Sequence, residues 1–130
     1  MKRTFATLAA CLLIAGCSAP VKSTPTASVP PGPTRFASVT ELRDAAVAVG
    51  YDCPSWVQDN KVTLAAQSGS CSTADVLSIY LTEADTTASV QKLKGISGSD
   101  VHLLVGPNWI INTARAGDLQ SKMGGTVVGS

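Results

Sequence analysis

The sequence predicts an α+β domain of two layers with a mostly antiparallel sheet. Two observations carry that expectation. Helix-spaced and strand-like apolar segments follow one another through residues 36–130 in the order helix, strand, strand, helix, hairpin, helix, strand, and two apolar runs meet across three turn residues at 106–108. Residues 1–35 differ sharply in composition and form a separate leader.

The globular part begins near Phe36. Ser38-Val39-Thr40-Glu41 has the form of a capping box, with Ser38 satisfying a first-turn amide and Glu41 reaching back. Val39, Leu42, Ala45, Ala46 and Val49 follow at helical spacing, and Gly50 occupies the C-cap, so a helix is expected over 39–49. Its Arg43 and Asp44 read as solvated surface charges. Lys61 to Ala66 fits either a short strand or a helical turn, and Ser68-Gly69-Ser70 reads as a turn. Asp75 to Leu81 is a nearly continuous apolar run, the pattern of a buried strand. Thr82 and Asp85 then open a helix with Ala84, Ala88 and Leu93 inside and Gly95 as its stop, and Ile96 to Asp100 is a turn.

Val101 to Val105, Gly106-Pro107-Asn108 and Trp109 to Thr113 form a β-hairpin. Both arms are apolar on both faces, which places them centrally in the sheet. Ala116 to Met123 is a short helix ending at Gly124-Gly125, and Thr126 to Val128 is a terminal strand.

The leader begins with Lys2-Arg3 and an apolar stretch from Phe5 to Ala15, then Ile14-Ala15-Gly16-Cys17, which is the layout of a secretory signal. An aliphatic residue, two small residues and a cysteine resemble the lipobox of bacterial lipoproteins. The resemblance implies a signal peptide over 1–16, a lipidated Cys17 and a domain held on the extracellular side of the cell membrane. A membrane span is disfavoured, because it needs about 20 apolar residues and polar Ser18, Pro20 and Lys22 follow at once. An ordinary signal cleavage site can be drawn from Ala15 to Ala19 only by forcing the pattern. One acyl chain holds weakly and stable anchoring takes two signals, a demand that a diacylglyceryl thioether at Cys17 meets.

Residues 17–35 form the tether. Five of the eighteen residues from Ser18 to Arg35 are proline and six are Ser or Thr. Such a segment offers too little apolar surface to offset ordering, and polyproline II extension carries it over roughly 55 Å at about 3.1 Å per residue. A proline-rich recognition ligand is the weaker reading, since no repeated PxxP core is present.

Charge removes one class of partner. Ten Lys and Arg stand against nine Asp and Glu, and the loss of Lys2 and Arg3 with the signal leaves eight against nine, a net charge of −1. No basic face for phosphates is implied, so nucleic acid is not an expected partner.

Cysteine usage adds a constraint. With Cys11 removed in the signal and Cys17 lipidated, Cys53 and Cys71 are the thiols left in an oxidising exterior, and a disulfide between them is expected. Closing that loop stabilises by roughly 3 kcal/mol in the chain-entropy model. Two cysteines and the distant His102 make a poor zinc site, and Cys-x-x-Cys is missing, so no metal or other cofactor is expected.

No catalytic motif stands out either. Nucleophile elbow, phosphate loop and His-Glu-x-x-His are all missing from the sequence. A Ser-His-Asp triad would have to use His102, which Val101 and Leu103 place in a strand. Asp52, Asp59, Asp75, Glu83, Asp85, Asp100 and Asp118 are scattered singly, and capping or solvation explains each. No catalytic residue is therefore assigned.

Aromatic residues are the remaining candidates. Trp56 either covers the disulfide or joins Tyr51 in an exposed patch that anchors a protein or glycan; Trp109 either packs in the sheet or belongs to the same partner-binding set. Gly-Tyr-Asp-Cys, Ser-Gly-Ser-Cys, Val-Gly-Pro-Asn-Trp-Ile-Ile-Asn and Met-Gly-Gly segments behind a lipobox and a Pro/Thr-rich tether resemble small surface lipoproteins of high-GC Gram-positive bacteria and their phages. That resemblance implies a non-enzymatic module that binds a surface protein, wall polymer or small ligand. Its alternatives are a phage-encoded superinfection-exclusion lipoprotein and a small cell-wall hydrolase.

Overall fold

A computed structural model describes residues 32–96 and 100–129. The expected signal peptide, the expected lipidation site Cys17 and the expected tether up to residue 31 lie outside the described residues. The remainder is an α+β fold with three helices and a six-stranded antiparallel sheet. In chain order these are α1 (Val39–Ala48), β1 (Val57–Gln58), β2 (Gln67–Ser70), β3 (Val76–Ile79), α2 (Glu83–Lys94), β4 (Leu103–Val105), β5 (Trp109–Asn112), α3 (Ala116–Met123) and β6 (Thr126–Val128). Among the described residues no helix is long and apolar enough to cross a membrane.

Local signals explain the ends of α1. Ser38 Oγ accepts from Glu41 N at 3.1 Å, and Glu41 Oε2 accepts from Ala37 N at 3.0 Å, so the return bond lands one residue upstream of the cap. Gly50 takes φ +93°, a left-handed conformation that terminates the helix.

The strand order β1-β2-β3-β5-β4-β6 has a consequence for the helices. Strands β3 and β4 both run antiparallel to β5 between them and are therefore parallel to each other; β5 and β6 are related in the same way across β4. Parallel strands need a crossover, and α2 and α3 supply the two. Both crossovers step the same way across the sheet but leave from strands of opposite direction. The right-handed preference for such connections then puts α2 and α3 on opposite faces.

Side-chain alternation agrees. Leu77, Leu104 and Ile111 pack with Val39, Leu42 and Ala46 of α1 and with Ala116 and Leu119 of α3. Leu103 and Ile110 point the other way, to a smaller cluster that Val90 and Leu93 of α2 join. To the expected layer of helices on the sheet, the fold thus adds cover on the second face. The 101–113 hairpin appears as β4 and β5 in the middle of the sheet, as expected.

Three local expectations are corrected. Ser68-Gly69-Ser70 belongs to β2, paired on one edge with β1 and on the other with β3. Its residue types favour a turn, but ladders on both sides satisfy its backbone, and tertiary context overrides weak β-propensity. In α2 the fully buried positions are Thr86 and Ser89, whereas Ala84 and Ala88 are exposed. Val90 and Leu93 set the helix phase, and Thr86 and Ser89 share their face at a spacing of four. Lys61 to Ala66 is neither a strand nor a helical turn: Ala65 N donates to Val62 O at 3.3 Å across a tight turn in which Leu64 takes φ +71°, outside the helical region.

Candidate interaction site

Cys53 and Cys71 form the expected disulfide, closing a loop of sequence separation 18. Cys71 is buried in the main core, and Cys53 and Trp56 pack against that cluster half-buried. The bond anchors the segment that carries β1 to the strand it borders.

Trp56 lies on this anchored edge. The six-membered edge of its indole rests over Gly69, where any Cβ would collide with the ring and would also come within 2.8 Å of Val57 O. On α1, Arg43 places its guanidinium carbon 5.3 Å from the ring centroid, a cation–π arrangement. Arg43 Nε also stands 2.6 Å from Asp44 Oδ1, as an ion pair without aligned hydrogen-bond geometry. Val57, next to Trp56, is 58% exposed on the edge strand. Thr40 Oγ1 donates to Gln58 Oε1 at 3.4 Å, a long bond that joins α1 to β1 beside this face. The result is a tryptophan held between a glycine and an arginine, with an exposed apolar neighbour.

Tyr51 and Trp109 are placed elsewhere. Tyr51 is 3% exposed and Trp109 is 0% exposed, so neither offers surface to a partner, and their expected direct partner contacts are corrected to core roles. Trp109 donates from Nε1 to Thr34 O at 2.7 Å and packs edge-on to Phe36 at 6.0 Å between centroids. Gly106 lies against the same ring, where a Cβ would not fit. The tryptophan therefore ties the start of the described chain to the hairpin.

The Tyr51 phenol belongs to a polar cluster with Thr113 and Asp75. Its hydroxyl faces Thr113 and Asp75 without reaching aligned hydrogen-bond geometry with either. Burial above all, and the charge of Asp75, push the phenol up to about 12 against a smaller downward pull from Thr113. Asp75 moves the opposite way. Partial burial pushes its carboxyl up, but the polar hydrogens of Thr113, Ser72 and Tyr51 with the charge of Arg115 outweigh this and hold it below the usual carboxylate range. Ser72 Oγ donates to Asp75 Oδ2 at 2.7 Å, and Ser72 Oγ in turn accepts from the amides of Ala74 and Asp75, so this carboxylate organises the turn into β3.

His102 lies one residue before β4, half-buried, with its carbonyl accepting from Thr113 N at 2.8 Å. The described residues contain no group of three metal-capable side chains. A groove of about 460 Å³ runs between α1 and α3 past Ala45, Val49 and Met123. Gly32, Thr34 and Phe36 of the chain's own stem wall it, whereas Trp56 and exposed Val57 lie on the edge that the disulfide anchors.

Arg43 is the site residue that sequence reading missed. It lies in α1 and its ring partner in a separate loop, and no local pattern links the two. Compared with protein-family models, curated proteins and solved structures, this chain finds no match.

Proposed function

We propose that the chain is a membrane-anchored extracellular lipoprotein whose domain is a non-enzymatic binding module. The observation that carries the reading is the Arg43–Trp56 pair. A tryptophan with an arginine stacked on it, on a disulfide-anchored edge beside exposed Val57, combines the residue types that dominate interface hot spots with little freedom left to lose on binding. The lipobox-like Ile14-Ala15-Gly16-Cys17 supports the anchored, outward-facing location by resemblance. The partner suited to this face is a protein of the cell surface or wall.

The test uses the full chain on intact cells, with a photo-crosslinking amino acid in place of Val57. A discrete adduct that Trp56→Ala or Arg43→Ala diminishes is the expected outcome. An adduct pattern that neither substitution changes removes the assignment of this face.

A further inference from the structure

The two edges of the sheet are closed off differently. Strand β1 spans only two residues, with Pro54 in the turn before it and the Asp59–Lys61 ion pair, 3.0 Å, directly after it. Short length, proline and charge are devices that keep a further strand from adding to an edge. Strand β6, three residues long, carries neither proline nor charge, and its surroundings over 123–130 read Met-Gly-Gly-Thr-Val-Val-Gly-Ser. All three strand residues are β-branched, and Val127 is 38% exposed.

The neighbouring ladders fix where the β6 backbone points. Thr113 N donates to His102 O and Gly106 N donates to Trp109 O, so alternate residues His102, Leu104 and Gly106 turn their polar groups towards β5. Leu103 and Val105 therefore turn theirs towards β6, where the register sets them opposite Val128 and Thr126. Val127, between those two, directs both its N–H and its C=O away from the sheet, and neither has a partner among the described residues. Glycines hold β6 tightly on β4 at both ends: a Cβ at Gly125 would come within 2.7 Å of Val105 O, and one at Gly129 would collide with the Val101 carbonyl.

We infer that β6 is the pairing edge for a second copy of this chain. A two-fold axis through Val127 lets the Val127 N–H of each copy donate to the Val127 C=O of the other and sets Thr126 of each opposite Val128 of the other. One residue supplies both halves of the bond pair, which is the self-complementarity that an isologous contact requires. The two Val127 side chains then meet on the face of α1 and α3, beside Leu104, and the Thr126–Val128 pairs meet on the other face. A ladder this short makes a reversible pair, and the two six-stranded sheets become one. Since β1 is the opposite edge, the Trp56 faces of both copies stay outward at the two ends of the joined sheet. A bivalent particle of that kind holds a multivalent surface more tightly than one domain does. The pairing itself is independent of what the Trp56 face binds.

Disulfide trapping of the full chain on intact cells, read on non-reducing gels, tests the contact and its register. Directly opposed residues of such a pair have Cα atoms about 5.5 Å apart, within the roughly 4.4–6.8 Å that a disulfide spans. Val127→Cys should therefore give a covalent dimer of twice the chain mass, about tenfold or more above Leu81→Cys, a control at an 80% exposed position outside β6. Thr126→Cys and Val128→Cys should each stay monomeric alone and cross-link when the two chains are co-expressed. Val127→Pro removes an N–H that bonds nothing within the chain, a placement that an edge strand tolerates, so its melting temperature should stay near wild type. Added to the co-expressed pair, it should cut the cross-link about tenfold. A Val127→Cys dimer no stronger than the Leu81→Cys control, an adduct of any other mass, strong cross-linking of Thr126→Cys alone, or a trapped pair that Val127→Pro leaves unchanged overturns the proposal.

Discussion

Asn108 clamps Phe36 through both of its backbone groups. Phe36 N donates to Asn108 Oδ1 at 3.1 Å and Asn108 Nδ2 donates to Phe36 O at 2.8 Å, across 72 residues of sequence. The side chain imitates a strand neighbour, while the Asn108 carbonyl accepts from Tyr80 N at 2.8 Å. With the bond from Trp109 to Thr34, it fastens the stem of the domain to the hairpin turn. Force transmitted from an anchored leader would reach the sheet through these bonds.

Asn108→Ala removes both contacts and leaves the Phe36 amide and carbonyl without their partners. Stability should fall by about 1–3 kcal/mol. Amide exchange at Phe36 should quicken, while the amides of β3 and β5 keep their ranking. Unchanged protection at Phe36 would show that the stem is held by packing alone.

Gly69→Ala tests the seat of Trp56. The added methyl meets the indole and lies 2.8 Å from Val57 O, so either the ring leaves or β1 shifts from β2. Overpacking of this kind costs about 1–3 kcal/mol. Thermal melts should show the loss, and tryptophan emission should shift to the red as Trp56 gains water. A variant with native stability and native emission would mean that the ring is not seated on this glycine.

The same glycine shows where sequence reading stops. Elements with their own local signals were legible: the Ser38–Glu41 cap set α1, the apolar run after Asp75 set β3, and Gly-Pro-Asn set the hairpin. Strand β2 carries no such signal, because Gln67-Ser68-Gly69-Ser70 becomes a strand only through neighbours on both edges. The phase of α2 failed for a related reason, since alanines are nearly neutral and Val90 and Leu93 decide which side faces the sheet. At the candidate site the disulfide followed from elimination of Cys11 and Cys17. The burial of Tyr51 and Trp109 did not follow, because an aromatic residue next to a turn reads equally well as anchor or core.

Burial of Tyr51 sets an alkaline limit on stability. Its folded pKa of about 12 lies above its ordinary value of 10.0, so its contribution is fully present below pH 10 and is lost as pH rises through the folded value. Absorbance titration should show phenolate still forming near pH 12, and Tyr51→Phe should abolish that late step and flatten the fall in melting temperature over the same range. At neutral pH the variant should stay within about 1 kcal/mol of wild type, because the hydroxyl it loses makes no aligned bond. Complete phenol ionisation by pH 11 in the folded protein would contradict this.

Lipidation at Cys17 has a direct chemical test. If its thiol is the acyl acceptor, Cys17→Ser should lose metabolic label from a fatty-acid analogue and should no longer be processed before residue 17. Equal label on both proteins would place the acyl group elsewhere or remove it from the account.

The choice between binding and catalysis comes down to three side chains. His102 is the chain's one histidine, and its backbone is engaged with Thr113 at the start of β4. Under the binding reading, His102→Gln keeps biological activity, because the imidazole has no assigned task. Trp56→Ala should instead weaken partner capture by about 1–2 kcal/mol or more, and Arg43→Ala should act in the same direction through loss of the stacked cation. All three variants belong in one cell-surface assay with thermal melts, so that a folding defect is not read as a binding defect. If His102→Gln abolishes activity at native stability while the Trp56 and Arg43 variants behave as wild type, the binding face is wrong and a hydrolytic or metal-dependent role takes its place.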